Sequence, residues 1–414
     1  MAVVKPFKAV RPAKDQAENV VALPYDVMNR REAAQMAAGN PCSFLHISRA
    51  EIDLPDVLDP YDQSVYEKAR QNMGEYLHNG ILIQEESPAL YIYRQQMNGR
   101  SQTGIACCVS IDDYKNNIIK KHELTRVEKE MDRINHFDVC DANTEPVFLT
   151  YREHPKIRKM ADDYTKTHGP EYDFVAEDGV GHTLWVIEDQ DWIKSLCRLF
   201  GQVPGFYIAD GHHRSASACK VGELRRNQHG DYTGEEEFNF FMAVIFPDCD
   251  LRIYDYNRVV KDLAGNTKEE FLRKVREAGF VITEEGSMPY RPEALHQFSM
   301  YLEGRWYKLV CEDRIVPEGD PVGALDVSIL QQRLLNPILK IQDPRVDRRI
   351  DFVGGIRGLR ELERRTTLDM KVAFAVYPVS MEELMNIADQ EKIMPPKSTW
   401  FEPKIGSGLF MHRL

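Results

Sequence analysis

The sequence has no hydrophobic run of about 18 residues, the length that a helix needs to span a bilayer. Its first residues, Met1 to Lys8, run quickly into charge and lack the apolar stretch of a secretory signal. Its 8 cysteines never form a C-x-x-C pair, which disfavours a zinc finger and favours reduced thiols. We therefore expect a cytoplasmic protein without a membrane span.

A basic surface is also missing. The chain of 414 residues has 53 Lys and Arg against 65 Asp and Glu, a formal net charge of −12, and no long Lys/Arg run. Duplex nucleic acids require a basic footprint, so we expect no nucleic-acid partner. A small anionic ligand in a local cationic pocket is still compatible with this balance. With 43% hydrophobic and 29% charged residues, the composition is typical of a folded globular chain and excludes a disordered or fibrous one.

Strand and helix patterns alternate along the chain. Tyr61–His78 has apolar residues at four-residue spacing, which predicts a helix. The apolar runs Ala89–Tyr93 and Gly104–Ile111 predict two paired strands. Further interleaving of this kind in the middle of the chain predicts a mixed α/β or α+β fold.

Three consecutive regions are expected from the placement of the motifs. Residues 1–115 form an N-terminal α/β region, and residues 116–265 form a core that carries the two main motifs. Residues 266–414 form a C-terminal α/β region that completes the site. This length is suited to two or three domains, or to one elaborated domain.

The strongest functional signal is a polar turn between the apolar strand Gly205–Ala209 and the helical segment Ser215–Arg226. The turn reads Asp210-Gly211-His212-His213-Arg214. Glycine permits a tight bend there, and the first amides of the following helix are unpaired at a positive dipole end. With Arg214 and the two imidazoles beside them, these amides predict an anion site suited to phosphate.

Two other interpretations of this turn are open. Asp210 at the strand end can hold Mg²⁺ that bridges phosphate oxygens, or it can cap the helix together with Ser215. The imidazoles of His212 and His213 can be metal ligands, or they can bond to the backbone. Adjacent helical residues point about 100° apart, so both bind one ion only where the backbone is not helical.

The second segment is Lys120-Lys121-His122-Glu123-Leu124-Thr125-Arg126. A carboxylate such as Glu123, at a strand-to-helix junction, can take a proton from a hydroxyl group. Thr125 and Glu128 match a capping box, which is a structural alternative to a catalytic role. The second His of an H-E-x-x-H zinc motif is absent. The cations that can hold phosphate here, or simply face solvent on a helix, are Lys120, Lys121, Arg126, Lys129 and Arg133.

Three further segments are candidates. Lys397, Ser398, Thr399 and Lys404 follow a Pro-Pro entry near the C-terminus and can contact a phosphorylated or carboxylate substrate, or lie in a terminal strand. The segment Asp343–Gly355 suits either an active-site loop or a network of surface ion pairs. Pro24-Tyr25-Asp26-Val27 offers another carboxylate at a strand end, as a lesser candidate.

In combination, these segments resemble a large uncharacterised bacterial family that is catalogued only as a domain of unknown function. The matching motifs are Pro24–Val27, His122-Glu123-x-Thr125, Asp210–Arg214, Asp347–Gly355 and Pro395-Pro396-Lys397-Ser398-Thr399. The Asp210–Arg214 turn is also similar to the phosphate-binding turn of the ParB/sulfiredoxin superfamily, which includes ADP-dependent kinases acting on free serine. The resemblance implies a ParB/sulfiredoxin-like core elaborated by further mixed-sheet segments.

The resemblance also implies roles for individual residues. Glu123, Asp210 and His212 would be catalytic, with Glu123 as the base and Asp210 also on the metal. Gly211, His213, Arg214 and Ser215 would bind the nucleotide phosphates, and His122, Thr125, Lys397 and Thr399 would bind the substrate. Mg²⁺ would be the cofactor, with ADP or ATP as co-substrate.

The function that follows is phosphoryl transfer between a nucleotide and a small hydroxylated acceptor, with serine or phosphoserine the best match. Net dephosphorylation of phosphoserine would use the same groups with water as acceptor. Two other classes stay open: a metal-dependent hydrolase with His122, His212, His213 and Asp210 as ligands, and a non-enzymatic nucleotide-binding switch. The oligomeric state is open as well.

Overall fold

The structure is a computed structural model that describes residues 2–55 and 59–414. By their contacts, the residues form two units. The first comprises Met1–Lys121, Thr125–Leu251 and Pro403–Leu414, and the second comprises His122–Leu124 and Arg252–Glu402. These boundaries differ from the three consecutive regions expected from the sequence, and that division stays a prediction.

The strands within the described residues are short to medium in length. In chain order they are β1 (Val4–Lys5), β2 (Val10–Pro12), β3 (Leu82–Gln84), β4 (Leu90–Met97), β5 (Arg100–Ser110), β6 (Ile119–Lys120), β7 (Ala142–Asn143), β8 (Val147–Tyr151), β9 (Tyr172–Val175), β10 (Gly181–Ile187), β11 (Phe206–Asp210), β12 (Phe240–Pro247), β13 (Ile253–Tyr254), β14 (Tyr256–Val260), β15 (Phe280–Gly286), β16 (Gln297–Leu302), β17 (Arg305–Cys311), β18 (Ile350–Gly354), β19 (Val372–Val376), β20 (Trp400–Phe401) and β21 (His412–Arg413).

The α-helices of the described residues alternate with these strands. They are α1 (Ala17–Val20), α2 (Arg30–Met36), α3 (Leu45–Ser48), α4 (Gln63–His78), α5 (Ile111–Lys115), α6 (Val127–Cys140), α7 (Pro155–Thr167), α8 (Gln190–Phe200), α9 (His212–Gln228), α10 (Lys268–Glu277), α11 (Asp326–Leu330), α12 (Leu359–Leu368) and α13 (Met381–Asp389). In the part of the chain that the structure describes, none of them is long and apolar enough to cross a bilayer.

The first unit contains a large mixed sheet with the order β6-β11-β8-β12-β5-β4-β10-β9, to which β1 adds beside β5. β11 runs parallel to β6 and antiparallel to β8, and β8 runs parallel to β12. Every residue of β8 and β12 is buried, as their uninterrupted apolar sequences require of central strands covered on both faces. This sheet, with its flanking helices, confirms the mixed α/β class.

The second unit contains a six-stranded sheet with the order β15-β17-β16-β19-β14-β18. All of its pairings are antiparallel. The central strand β19 is buried throughout, whereas the edge strand β15 is mostly open to solvent. The core of this unit packs Val259, Trp306 and Leu362 beneath the sheet.

The predicted pair of strands in the first unit agrees with the structure, with longer strands than expected. The predicted pair of strands is the hairpin β4–β5, whose strands run further than expected, to a turn at Asn98 and Gly99. Both turn residues have positive φ, 51° and 74°, as a tight hairpin with two central residues requires. In the second unit, the strands β13 and β14 are separated at Asp255, whose carbonyl accepts from the Gly355 N–H.

Candidate functional site

The polar turn joins β11 to α9 within the first unit. β11 is buried up to Ala209, Gly211 has φ of 90° in the left-handed region, and α9 begins directly at His212. A side chain at position 211 would also meet the Arg214 guanidinium, with Nε only 3.0 Å from the added Cβ. Glycine is therefore required here both by the backbone and by the close approach of Arg214.

The same end of the sheet receives the second motif. β6 is parallel to β11, with Ile119 beside Phe206, so both strands end at one edge. Further along the chain, the Arg126 backbone N–H donates to Nε2 of His213 over 3.0 Å. That bond requires an unprotonated Nε2, which assigns the proton of a neutral His213 ring to Nδ1.

The Asp210 carboxylate lies between two cations. Its Oδ2 is 3.4 Å from Nζ of Lys404 and 3.5 Å from a guanidinium nitrogen of Arg214. Burial acts to raise the pKa of Asp210, but Lys404, Arg214 and His212 outweigh it and hold that pKa far below its usual range. Its side chain is 27% exposed, so an ionised carboxylate reaches the surface at the end of β11.

The Arg214 guanidinium lies beneath the turn. Arg214 is only 2% exposed, and its Nη1 donates to the carbonyl of Pro146. Burial alone would lower the pKa of Arg214, but Asp210, Asp26 and Glu145 raise it. The sequence expectation that Arg214 contacts a phosphate directly stays a prediction; in this position the side chain supports Asp210 and the turn from within.

A buried ionic cluster continues from Arg214 into the unit. Glu145, 1% exposed, accepts hydrogen bonds from the Tyr25 N–H (3.2 Å) and the Ser407 hydroxyl (2.7 Å), and lies 3.7 Å from Arg133. Burial raises the pKa of Glu145, while Arg214 and Arg133 oppose that shift. The guanidinium of Arg133 lies 3.9 Å from the Tyr25 ring centroid. Arg133 is thus part of the buried cluster and does not belong to a solvated helix face.

His212 and Ser215 begin α9 on its buried side. His212 is 7% exposed. The Ser215 hydroxyl is fully buried and donates to the Gly211 carbonyl over 3.0 Å, so it closes the first turn of α9 from inside. α9 has no side-chain cap, because its N-cap residue is Gly211, and the capping role considered for Asp210 and Ser215 is therefore wrong.

The predicted capping box at Thr125 and Glu128 is also wrong. α6 begins at Val127 with Arg126 as its uncapped N-cap residue. The Thr125 hydroxyl instead donates to Oε2 of Glu130 over 2.6 Å, and Glu130 is paired with Lys220 at 2.6 Å. Tertiary pairing has displaced the local motif, because Glu130 faces α9 and is 8% exposed.

The other predicted substrate residues belong to the second unit. There the carbonyl of buried His122 accepts from the Met394 N–H (2.8 Å), and its Nε2 lies 3.5 Å from the Thr399 hydroxyl. Glu123 is half-buried and falls in the same unit. Lys397 is exposed, with φ of 58°, and its carbonyl accepts from Arg258. The structure therefore brings His122 together with Thr399 in the second unit, and the Asp210–Ser215 turn together with Arg126 and Lys404 in the first.

Sequence reasoning underrated two residues of this site. The sequence names Lys404 only as one of several C-terminal candidates, and it does not single out Glu145. Lys404 is separated from Asp210 by 194 positions, so no local pattern joins them. A signal for Glu145 was present in the isolated charge before the apolar run of β8, because buried carboxylates need partners.

The chain belongs to the family described as "Protein of unknown function (DUF1015)", whose model matches residues 4–328. This confirms the family resemblance inferred from the motifs. No curated protein matches the sequence.

Several solved structures are similar to this chain at low identity. A free serine kinase variant in complex with AMP has a TM-score of 0.38 and 13% identity, over 73% of this chain and 92% of its own. SbnI from Staphylococcus aureus, with a C-terminal truncation, has a TM-score of 0.40 and 11% identity, over 74% and 87%. A conserved hypothetical protein from Pyrococcus furiosus has a TM-score of 0.36 and 13% identity, over 74% and 94%. At such low TM-scores, the likeness assigns neither an activity nor a residue role.

Proposed function

We propose that this protein is a phosphotransferase that moves a phosphoryl group between a nucleotide, ADP or ATP, and a small hydroxylated acceptor, with serine or phosphoserine the best match. The observation that carries the proposal is the uncapped start of α9 beside an ionised Asp210 at the carboxyl end of β11. Ligands of mixed α/β sheets bind at such strand ends.

The phosphates occupy the start of α9. The first amides of a helix have no partner within the helix, and the aligned peptide dipoles add a positive potential there. Gly211 is the N-cap residue, and it has no side chain to cap these amides. The Lys404 ammonium adds a full positive charge beside Asp210. Together these groups suit the terminal phosphates of a nucleotide.

The chemistry then needs positioning and charge neutralisation more than covalent participation. The acceptor oxygen attacks the terminal phosphorus, the bond from that phosphorus to the bridging oxygen breaks, and the shorter nucleotide leaves. The hydroxyl proton passes to a carboxylate. We assign this base to Glu123, which precedes Arg126 by three positions, and the Arg126 N–H is bonded to His213 of the turn.

Asp210 is the residue that would hold Mg²⁺, together with the phosphates of the nucleotide. Oδ2 of Asp210 already faces Lys404 and Arg214, so a resident ion on that oxygen alone would be repelled. In phosphoryl-transfer sites Mg²⁺ is usually held by one or two carboxylates plus the substrate phosphates. Asp210 would therefore hold Mg²⁺ jointly with the nucleotide phosphates, and the ion would neutralise charge on them.

The alternative of a metal-dependent hydrolase would use His122, His212, His213 and Asp210 as ligands. His213 does not suit that role, because its Nε2 already accepts the Arg126 N–H, and Nδ1 then carries the proton. This alternative predicts tightly bound zinc or manganese in the purified protein, measurable by elemental analysis.

Phosphorus NMR tests the proposal. Phosphoserine is incubated with the protein alone, with AMP and MgCl₂, and with ADP and MgCl₂; serine is incubated with ADP or ATP and MgCl₂. We expect phosphoserine to form or disappear only with a nucleotide, with matching gain or loss of its terminal phosphate. Release of inorganic phosphate without a nucleotide would indicate a phosphatase. Nucleotide binding without turnover in any mixture would favour the non-enzymatic switch.

Asp210→Asn sharpens this assay. It removes the charge that faces Lys404 and the incoming ion, and we expect turnover to fall by a factor of 100 or more, on the order of 3 kcal/mol in the barrier. Asp231→Asn, at an exposed position after α9, is the matched control and should leave turnover unchanged. Equal turnover of the two variants would remove Asp210 from the mechanism.

A further inference from the structure

Besides the Asp210–Ser215 turn, the first unit contains a polar cleft. It has a volume of about 180 Å³, and Lys404, His182 and Gly406 form part of its lining. Lys404 also contacts Asp210, so this one ammonium group belongs both to the cleft and to the phosphate site. None of the motifs recognised in the sequence accounts for the cleft.

His182 presents a hydrogen-bond donor to this cleft. It is 4% exposed and packs between the rings of Tyr93 and Phe174, with centroids 5.9 and 5.3 Å away. Its Nδ1 is 2.6 Å from the Tyr93 hydroxyl, while Nε2 has no hydrogen-bond partner among the described residues. Nε2 is therefore the ring nitrogen that is left for a ligand in the cleft.

Tyr93 determines the tautomer of this ring. The Tyr93 hydroxyl is fully buried, and its oxygen accepts from the Gly406 N–H at 3.4 Å. Its own proton needs an acceptor, and among the described residues Nδ1 of His182 is the acceptor within hydrogen-bond distance. Burial lowers the pKa of His182 to about 4, and the ring is neutral at pH 7. A neutral ring that accepts at Nδ1 carries its proton on Nε2.

Glycine is required where the cleft meets this pair. A Cβ at Gly406 would lie 2.8 Å from Val21, 3.2 Å from Cε1 of His182 and 3.2 Å from the Tyr93 hydroxyl. The close approach holds the imidazole, the phenol and the backbone N–H in one rigid group. Such a rigid donor suits a ligand of defined shape better than a random solvent pocket does.

The rim of the cleft has the opposite charge. Glu18, Glu177 and Asp178 line it, and all three are exposed. Among the described residues, Glu18 and Glu177 take part in no ion pair, so their charges are left for a cation. The cleft thus has donors inside, at Lys404 and Nε2 of His182, and acceptors at its mouth.

We propose that this cleft binds a small zwitterion, a free amino acid, whose carboxylate accepts from Lys404 and from Nε2–H of His182 while its ammonium group faces Glu18, Glu177 and Asp178. That the bound amino acid is the phosphoryl acceptor rests on the proposed function, because Lys404 joins the cleft to Asp210; the binding itself does not. A purely anionic ligand would be repelled by the rim, and a purely cationic one would leave the inner donors unmet.

Isothermal titration calorimetry of the full chain without nucleotide tests the proposal. The probes are L-serine, L-serinamide, which lacks the carboxylate, and N-acetyl-L-serine, which lacks the ammonium group. We expect saturable 1:1 binding of L-serine and at least a tenfold weaker affinity for both analogues. No binding of L-serine, or equal affinity for either analogue, would overturn the proposal without any variant being made.

Variants then locate the bound molecule. Lys404→Met and Glu177→Gln should each weaken L-serine binding by about tenfold, and the exposed Glu86→Gln, outside the cleft, should not change it. His182→Gln carries a risk of misfolding, so the wild-type ring is also followed directly by ¹H–¹⁵N NMR, where the protonated Nε2 resonance should shift on L-serine addition. Unchanged affinity in Lys404→Met and Glu177→Gln, or an unshifted Nε2, would place the ligand elsewhere and refute the assignment.

The two proposals fail separately. Binding of L-serine in the cleft without any phosphoryl transfer would retain the amino-acid site and reject the phosphotransferase. Phosphoryl transfer to serine with an unchanged KM in Glu177→Gln would retain the phosphotransferase and reject this cleft as its acceptor site.

Discussion

The two units bury arginines of similar exposure in opposite surroundings. Arg214 in the first unit is 2% exposed and faces the carboxylates of Asp210 and Glu145. Arg258 in the second unit is 3% exposed, but it donates to the carbonyls of Tyr256 and Lys397 and has no carboxylate partner among the described residues. Burial lowers the pKa of Arg258 to about 10, whereas that of Arg214 is raised.

Buried carboxylates show the same contrast. The pKa of Asp210 lies far below its usual range because Lys404, Arg214 and His212 outweigh burial. In the second unit, burial raises the pKa of Asp326 to about 7, and its Oδ2 has no partner. Buried charges persist where opposite charges compensate them, and burial drives isolated charges towards neutrality. The first unit is therefore the one that keeps buried groups ionised, as the proposed phosphate site requires.

Replacing Arg214 should give the largest effect. Arg214→Met leaves Glu145 and Asp210 short of a cation and the Pro146 carbonyl without its donor, so we expect a loss of about 3–5 kcal/mol in the free energy of unfolding. Urea denaturation measures it. Arg225→Met, which breaks partly exposed pairs with Asp138 and Asp141, is the control, at a cost of about 1 kcal/mol or less. Equal losses in the two variants would contradict the interpretation that Arg214 compensates the buried charges of Asp210 and Glu145.

The free energy of unfolding should depend on pH through the ionisation of Asp326. Its folded pKa of about 7 lies above its usual value of 3.8, so its folded state prefers the protonated form. The stability that this preference contributes is complete below about pH 4 and is lost as the pH rises towards 7, with an upper limit of roughly 4 kcal/mol.

Urea titrations of wild type and Asp326→Asn at pH 4.5 and pH 8 measure this loss. Relative to the wild type, the variant should gain stability on going to pH 8, because it cannot ionise. Asp313→Asn, at an exposed position in the same unit, should not change the wild-type pH dependence. A wild type and an Asp326→Asn variant that lose stability in parallel would show that Asp326 does not titrate in this window.

Gly211→Ala should have an intermediate effect in the first unit. The left-handed backbone at φ of 90° costs a side chain about 1–2 kcal/mol, and the added Cβ presses on the Arg214 guanidinium. Thermal or urea unfolding should therefore show a loss of at least that size. Gly230→Ala, where a Cβ meets nothing within 4 Å, is the control and should stay within about 0.5 kcal/mol. If neither substitution changed the free energy of unfolding, the left-handed backbone at Gly211 would not constrain the turn.

Arg258→Met should have the smallest effect and completes the comparison with Arg214. Removing a buried charge that has no opposite charge relieves its desolvation cost, which offsets the two lost hydrogen bonds. We expect the free energy of unfolding to change by about 1 kcal/mol or less in urea. A loss as large as that of Arg214→Met would show that burial alone, and not charge compensation, decides the effect of these arginines.

Much of the candidate turn could be predicted from the sequence. The apolar run of β11, the glycine and the small residues of α9 are neighbours in the chain, and short-range sterics decide their conformation. The prediction was wrong where a tertiary partner competed with a local motif, as when the Thr125 hydroxyl bonded to Glu130 and not to the start of α6. The sequence did not single out Glu145, because the function of this carboxylate depends on the two arginines, Arg214 and Arg133, that surround it only in the folded chain.

The sequence by itself determined the strand, the tight bend at Gly211 and the helix that follows, since a few adjacent residues set the allowed backbone angles and the hydrophobic period. Only the tertiary structure decided which charges meet there. Lys404 reaches Asp210 across 194 positions, and His182 meets Tyr93 across 89. Such pairs depend on the order of strands in the sheet, which brings distant segments within the few ångströms over which hydrogen bonds and ion pairs act.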